Sequence, residues 1–462
     1  MTGSTENQTT GTTTRSIASV LTLAKNAKLA ANVLAGTSAT DRDEALLAIA
    51  AEIATHEAEI LEENKKDLQH AASLVAEGKI NQALLERLKL DHSKLSSVVA
   101  GIRQLAKMPD PLGKIDLDRE LDKNLELQRV TCPIGLIGVI FEARPDALPQ
   151  IASLCLKSGD GVILKGGAEA EHSNRILFDC LKRAAQRAGL PGDCIVLLES
   201  RADVQELLKA DRFVDLVIPR GSNSLVRFIQ DNTRIPVLGH AEGICHVYVD
   251  ESANFDKAIS IICDAKVQYP AACNAAETIL IHESIAPQLI PKLAKQLNER
   301  KVSLRCDCQS LKFAGPESDA SPASEDDWGT EYGDLIVAVK VVKDLEQAIE
   351  HINEFGSGHT ETMVGENQKT FDKFFAQVNS AGVYLNASTR FADGFRYGFG
   401  AEVGISTAKQ HPRGPVGIEG LVTYKYKLIG DGHIVADYVG RDAKQFTHRD
   451  LHRQPKQENK QC

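Results

Sequence analysis

From residue 134 onward the chain repeats one rhythm, a short apolar run followed by a longer amphipathic one. That rhythm constrains the fold more than any other feature. Strand-length apolar runs fall at 134–141, 161–165, 194–198 and 214–218. Helical patterns lie between them, as at 172–188. Strand, helical crossover and strand in succession make βαβ units, which build parallel sheets with helices on their faces. After Gly243 the rhythm starts again, with strand candidates at 246–249, 277–282, 336–342 and 383–386. Two successive parallel α/β domains follow, and the cleft between two such domains is the default place for chemistry.

Three segments stand outside this rhythm. Residues 17–108 read as helical, because Ala45, Leu46, Ile49, Ile53 and Ile60 recur at helical spacing. Thr40, followed by Asp43 and Glu44, is the expected cap of one of these helices, and Pro109-Asp110-Pro111 stops them. Residues 125–130 and 423–427 are strand-like and belong to neither series. Left alone they would present open edges, which favours a partner and predicts a homo-oligomer. Residues 316–327, rich in Ser, Pro and acids, read as a mobile surface loop. The tails, 1–15 and 451–462, are polar and read as disordered.

Composition excludes several classes of function. The chain has 462 residues, 43% hydrophobic and 25% charged, as in an ordinary globular protein. Its net charge of −10 argues against nucleic acid as a partner. It leaves room for an anionic small molecule in a locally basic pocket. No apolar run is long enough for a membrane span, and residues 1–15 lack the apolar stretch of a secretory leader. Ten cysteines scattered through helices and strands fit a reducing cytoplasm. Cys306 and Cys308 have no second Cys/His pair nearby, so they read as an incidental surface pair and no metal site is expected.

Two places carry chemistry. Cys273 lies in Gln268-Tyr269-Pro270-Ala271-Ala272-Cys273-Asn274-Ala275-Ala276-Glu277-Thr278. Small neighbours let a substrate reach the thiol, and the Cys273 and Asn274 backbone N–H groups can face a developing oxyanion. A lone cysteine in a sequence is more often a buried structural residue. Gly221-Ser222 falls between a strand and a helix, where free N–H groups favour a pyrophosphate, although an ordinary turn uses glycine equally well. Lys165 ends a parallel strand, the edge at which open sheets bind ligands.

Six ordered blocks place these features in a family. They are Pro133 to Pro145, Leu164-Lys165-Gly166-Gly167 with 169–174, Pro219-Arg220-Gly221-Ser222-Asn223, Gly358-His359-Thr360-Glu361, Asn386-Ala387-Ser388-Thr389-Arg390-Phe391, and Gly400 to Ser406. With the Cys273 segment, they resemble the gamma-glutamyl phosphate reductase branch of the aldehyde dehydrogenase superfamily, from about residue 16 to about residue 427.

The resemblance implies an α/β, aldehyde-dehydrogenase-like fold: two parallel-sheet domains with a protruding β-arm for oligomerisation. Its expected parts are a cofactor-binding domain (16–120 and 135–243), an arm (121–134 and 423–450) and a catalytic domain (244–422). It implies NADPH-dependent reduction of L-glutamyl 5-phosphate to glutamate 5-semialdehyde in proline biosynthesis, through a Cys273 thioester and with release of phosphate. Lys165 and Glu331 would then hold the two riboses of the cofactor, and Gly221 and Ser222 its pyrophosphate. Arg144, His240, Arg390 and Arg413 would meet the anionic substrate. Association with glutamate 5-kinase is a further implication.

The oxidising members of the superfamily use a glutamate to activate water. Here His240 falls on that position, and a shift of two would put Glu242 there. Those members also place an oxyanion-binding asparagine where this chain has Ala143-Arg144-Pro145, so the second donor stays open between the Cys273 N–H and Asn274. An aldehyde-oxidising enzyme and a catalytically inactive binding protein are the rival readings. A clear glutamate base would favour the first, and an intact Cys273 argues against the second.

Overall fold

The structure, a computed structural model, describes residues 19–239 and 242–451. Five helices come first: α1 (Val20–Leu34), α2 (Ala39–Thr55), α3 (Glu57–Ala76), α4 (Gln82–Leu88) and α5 (His92–Ala106). Four of them begin at a side chain that accepts a free backbone N–H: Ser19, Ser38, Asn81 and Asp91. The cap of α2 is Ser38 and not the expected Thr40. Ser38 Oγ accepts from the Asp41 N–H at 3.1 Å, and the Asp41 carboxylate accepts the Ser38 N–H at 3.3 Å. Thr40, already inside the first turn, cannot close this reciprocal box.

The chain then forms β1 (Ile115–Asp122) and β2 (Leu125–Pro133), an antiparallel pair turned at Lys123-Asn124 with Asn124 at a φ of 61°. The first α/β unit follows: β3 (Leu136–Phe141), α6 (Ala147–Lys157), β4 (Gly161–Lys165), α7 (Glu171–Arg187), β5 (Ile195–Leu198), α8 (Arg201–Leu207), β6 (Leu216–Arg220) and α9 (Asn223–Asn232). Its four strands are parallel, in the order β5-β4-β3-β6. The connections leave β3 toward β4 and later return to its other side. The crevice at the carboxyl ends of β3 and β6 is therefore the switch point where such sheets take ligands. β4 has the expected bounds. β6 runs two residues past the expected end because Pro219 stays in register opposite Ile140.

The second unit contains β7 (Cys245–Val249), α10 (Phe255–Val267), β8 (Ala276–His282), α11 (Ala286–Asn298), β9 (Ser303–Cys306), α12 (Cys308–Ala314) and β10 (Ala320–Pro322). It continues with β11 (Ile336–Val342), α13 (Leu345–Phe355), β12 (Thr360–Val364), α14 (Gln368–Gln377) and β13 (Gly382–Leu385). Its sheet is parallel, in the order β10-β9-β11-β8-β7-β12-β13. Three of these strands differ from the sequence expectation. β12 escapes an apolar pattern because Thr360, Glu361 and Thr362 are buried polar residues. β9 is only four residues long. β10 and a 3-10 turn, Glu325–Gly329, occupy the stretch expected to be a mobile loop, and the buried Trp328 anchors it. Cys306 is buried on β9 while Cys308 is exposed, so they are not a surface pair. Among the described residues no group of three potential metal ligands occurs, and no helix is long and apolar enough to cross a membrane.

A short hairpin, β14 (Gly404–Ser406) and β15 (Gly414–Val416), returns to the first unit. Val403, Val416, Ile418 and Leu421 share one apolar cluster with Ile137, Leu164 and Ile218. The expected boundary at residue 422 therefore assigns this segment to the wrong core. β16 (Val422–Ile429) and β17 (Arg449–Asp450) then complete an antiparallel sheet, β16-β2-β1-β17. β16 is one edge of it, with Tyr424, Tyr426 and Leu428 exposed along one face.

Candidate active site

Cys273 sits in the turn between α10 and β8, at the amino-terminal rim of the second sheet. The turn is tightened by two backbone bonds, Ala272 N–H to Tyr269 O at 3.2 Å and Ala275 N–H to Ala272 O at 2.8 Å. Small side chains allow this tight path, and Cys273 stays half-buried while Asn274 to Ala276 are buried. Gly243, just ahead of β7, backs directly onto it. A Cβ at position 243 would lie 2.3 Å from the Cys273 carbonyl oxygen and 2.7 Å from its Cβ. The buried Cys245 thiol donates to the same carbonyl at 3.4 Å. Burial pushes the Cys245 thiol far up, so it stays protonated beside Cys273.

Asn274 is a structural clamp. Its Nδ2 donates to Ala392 O at 2.9 Å, and its carbonyl accepts from Thr389 Oγ1 at 2.7 Å. These two bonds tie Asn274 to the 389–392 turn.

Arg390 is buried against the nucleophile turn. Its Nε donates to Gln268 Oε1 at 2.9 Å, and its guanidinium lies 5.9 Å from the centre of the Tyr269 ring. Burial lowers its pKa, Arg396 lowers it further, and the Cys273 charge opposes both. Arg220, at the carboxyl end of β6, answers from the other domain. Burial lowers its pKa, Glu402 raises it, Arg144 lowers it and Cys273 raises it. Arg220 therefore stands within electrostatic range of Arg144, Glu402 and the thiol. Sequence reading quoted Arg220 as part of a block but gave it no role; its place at a strand end next to Gly221 was the available signal. Arg144 is exposed in the turn after β3. Arg413 donates to Asn379 O at 3.2 Å and lines a cavity of about 180 Å³ with Lys409 and Thr407.

His240 lies outside the described residues. Glu242, the alternative base, is engaged: Arg227 Nη2 meets its Oε1 at 2.5 Å.

The crevice of the first sheet gathers the four residues expected to bind a cofactor. Lys165 is buried at the end of β4, with its ammonium on the Gly166 carbonyl. Burial lowers its pKa, and the Glu169 and Asp203 carboxylates raise it. Gly221 and Ser222 open α9, whose free N–H groups suit an anion. A carboxylate already exploits them: the Ser222 N–H donates to Glu142 Oε2 at 2.8 Å. The Glu142 oxygen would lie 2.5 Å from a Cβ at position 221, so a side chain there would have to push the Glu142 carboxylate aside. Glu331 reaches across from the second domain, accepting from Asn223 Nδ2 at 3.3 Å. A buried cation, anion-seeking N–H groups and a carboxylate for sugar hydroxyls fit a dinucleotide laid across the crevice.

Comparison with known proteins agrees with this geometry. The model of the aldehyde dehydrogenase family matches residues 3–316. Gamma-glutamyl phosphate reductase of Synechococcus elongatus is 56% identical, over 92% of this chain and 97% of that protein. The Acetivibrio thermocellus protein of the same name is 51% identical, over 94% and 99%. The crystal structure of gamma-glutamyl phosphate reductase from Thermotoga maritima superposes with a TM-score of 0.86 at 37% identity, covering 90% of this chain and all of that one. A glyceraldehyde-3-phosphate dehydrogenase from Methanocaldococcus jannaschii, complexed with NADP, shares the fold at 15% identity and a TM-score of 0.62.

Proposed function

Because the chain belongs to the gamma-glutamyl phosphate reductase family of aldehyde dehydrogenases, we propose that it reduces L-glutamyl 5-phosphate to L-glutamate 5-semialdehyde with NADPH in the cytoplasm, in proline biosynthesis. The observation that carries the mechanism is the half-buried Cys273 in a turn that Arg390 packs against, with Arg220 in electrostatic range and Glu242 paired with Arg227. The thiol of Cys273 attacks the acyl carbon, its sulfur forms a thioester, and inorganic phosphate leaves with the proton. Arg144, Arg220 and Arg390 supply the charge that holds the phosphate and the α-carboxylate. The Cys273 N–H faces the carbonyl oxygen as it gains charge. Lys165, Gly221, Ser222 and Glu331 would hold the cofactor, which would supply a hydride to the thioester carbon when bound. As the carbonyl then re-forms from the oxyanion, the carbon–sulfur bond breaks, the aldehyde departs and the Cys273 thiolate takes up a proton from solvent. Glu242, tied to Arg227, leaves the thioester without an activated water. Hydrolysis would waste it.

The reverse assay tests this reading. With glutamate 5-semialdehyde and NADP, turnover should require phosphate or arsenate. Rapid oxidation without either anion would assign the chain to the hydrolytic aldehyde dehydrogenases instead.

Lys165→Ala should raise the Michaelis constant for NADPH by about ten- to a hundredfold, the loss of one charge-assisted hydrogen bond. The constant for the acyl phosphate should hardly move. If Lys165 faces the 2′-phosphate, the penalty for NADH will be smaller; equal penalties would place the lysine at the ribose hydroxyls.

The arm supports a homo-oligomer. An eight-residue edge strand with three exposed apolar side chains on one face invites pairing with a second copy. Sedimentation at micromolar concentration should give a dimer or larger, and a monomer would refute the arrangement. Leu127→Pro, which removes a ladder donor from the middle strand, should weaken assembly before it weakens cofactor binding.

A further inference from the structure

Lys266 and Glu277 form an ion pair that takes no part in the reaction as derived above. Both side chains are fully buried, and Lys266 Nζ lies 2.6 Å from Glu277 Oε2. Glu277 stands on β8, four residues after Cys273, and Lys266 is in the last turn of α10, just before the nucleophile turn. The pair therefore brackets that turn from both ends. The second carboxylate oxygen points elsewhere: Glu277 Oε1 accepts the Gly333 N–H at 3.3 Å. Gly333 has a φ of 61° and closes the turn that carries Glu331. Glu331 in turn meets Asn223 at the start of α9, across the cleft.

We propose that Glu277, held by Lys266, is a positioning residue that fixes the Glu331 turn relative to Cys273, and so sets cofactor and thiol in reach of each other. The inference rests on the proposed role of Glu331 toward the cofactor. Its physical ground is cost. A buried ion pair is seldom worth more than apolar side chains of the same volume, so its retention calls for another task. Here that task is visible, because one carboxylate reaches an ammonium and the N–H of a second loop together. An apolar residue on β8 could fill the space but could not tether Gly333.

The test uses the full-length protein and NADPH as probe. Lys266→Met/Glu277→Met keeps the volume and removes both charges and the tether. Its melting temperature should stay near that of the wild type, while its dissociation constant for NADPH rises about tenfold. Alkylation of Cys273 by iodoacetamide should keep its wild-type rate. Lys266→Met/Glu277→Gln, which returns an uncharged acceptor for the Gly333 N–H, should restore most of the affinity. A folded double-methionine variant with wild-type affinity would overturn the proposal. So would a loss of affinity matched by slower alkylation, because the pair would then only support the nucleophile turn. Glu331→Gln is the control: unchanged affinity there would instead remove the cofactor role of Glu331, and the inference with it. Hydrogen exchange of the wild type gives a check free of variants. The Gly333 amide should exchange as slowly as those of β8, and rapid exchange would refute the tether.

Discussion

Cys273→Ala will abolish reduction of glutamyl phosphate and leave cofactor binding intact. In the proposed mechanism the thiol forms the covalent intermediate, and the groups beside it are engaged elsewhere. Asn274 is tied to Ala392, and the Cys245 thiol is buried and turned onto the Cys273 carbonyl. Removing a nucleophile of this kind costs at least about a thousandfold in turnover. The cofactor residues Lys165, Gly221 and Ser222 belong to the other domain, so NADPH titration of the variant should match the wild type. Residual turnover above a trace would mean another nucleophile. Protection of Cys273 from alkylation by the acyl substrate, followed by peptide mapping, gives the positive counterpart.

Gly243→Ala should be almost as damaging, although it adds a single methyl group and removes no chemical function. That methyl would meet the Cys273 carbonyl, Cα and Cβ, all within 2.7 Å. Contacts this short do not persist, and two of the three atoms are backbone, so the nucleophile turn has to shift. A displacement of about 1 Å at a reacting group costs on the order of a hundredfold in rate. The expected signature is a collapse of kcat with a nearly normal Michaelis constant for NADPH. A folded Gly243→Ala variant with wild-type kcat would show that the turn can yield without consequence.

The alternation of strands and helices was legible because the central strands are mostly apolar runs. β4 and β11 have the bounds that their hydrophobic runs suggest. β12 was not, because Thr360, Glu361 and Thr362 are polar yet buried, and their partners come from distant segments. Glu361, for example, takes the backbone N–H of His246 and the Ser380 hydroxyl. The same limit governs the site. Cys273 and Lys165 announce themselves through small neighbours and a strand end. Arg220 and the Lys266–Glu277 pair acquire meaning only once the chain has folded, because their roles depend on what lies beside them in space. The bond from Arg413 to Asn379 O is of the same kind, since its partner comes from a segment distant in sequence.

That hairpin has a consequence for synthesis. Ile137, Leu164 and Ile218 leave the ribosome well before Val403, Val416, Ile418 and Leu421, which share their apolar cluster. The first domain therefore cannot complete its interior by itself as it emerges. Until residues 403–421 are available, part of that domain's apolar surface stays uncovered and open to chaperones and proteases. A chain broken off before residue 403 would still contain Cys273 and every residue proposed to hold the cofactor, and would lack the side chains that close this cluster.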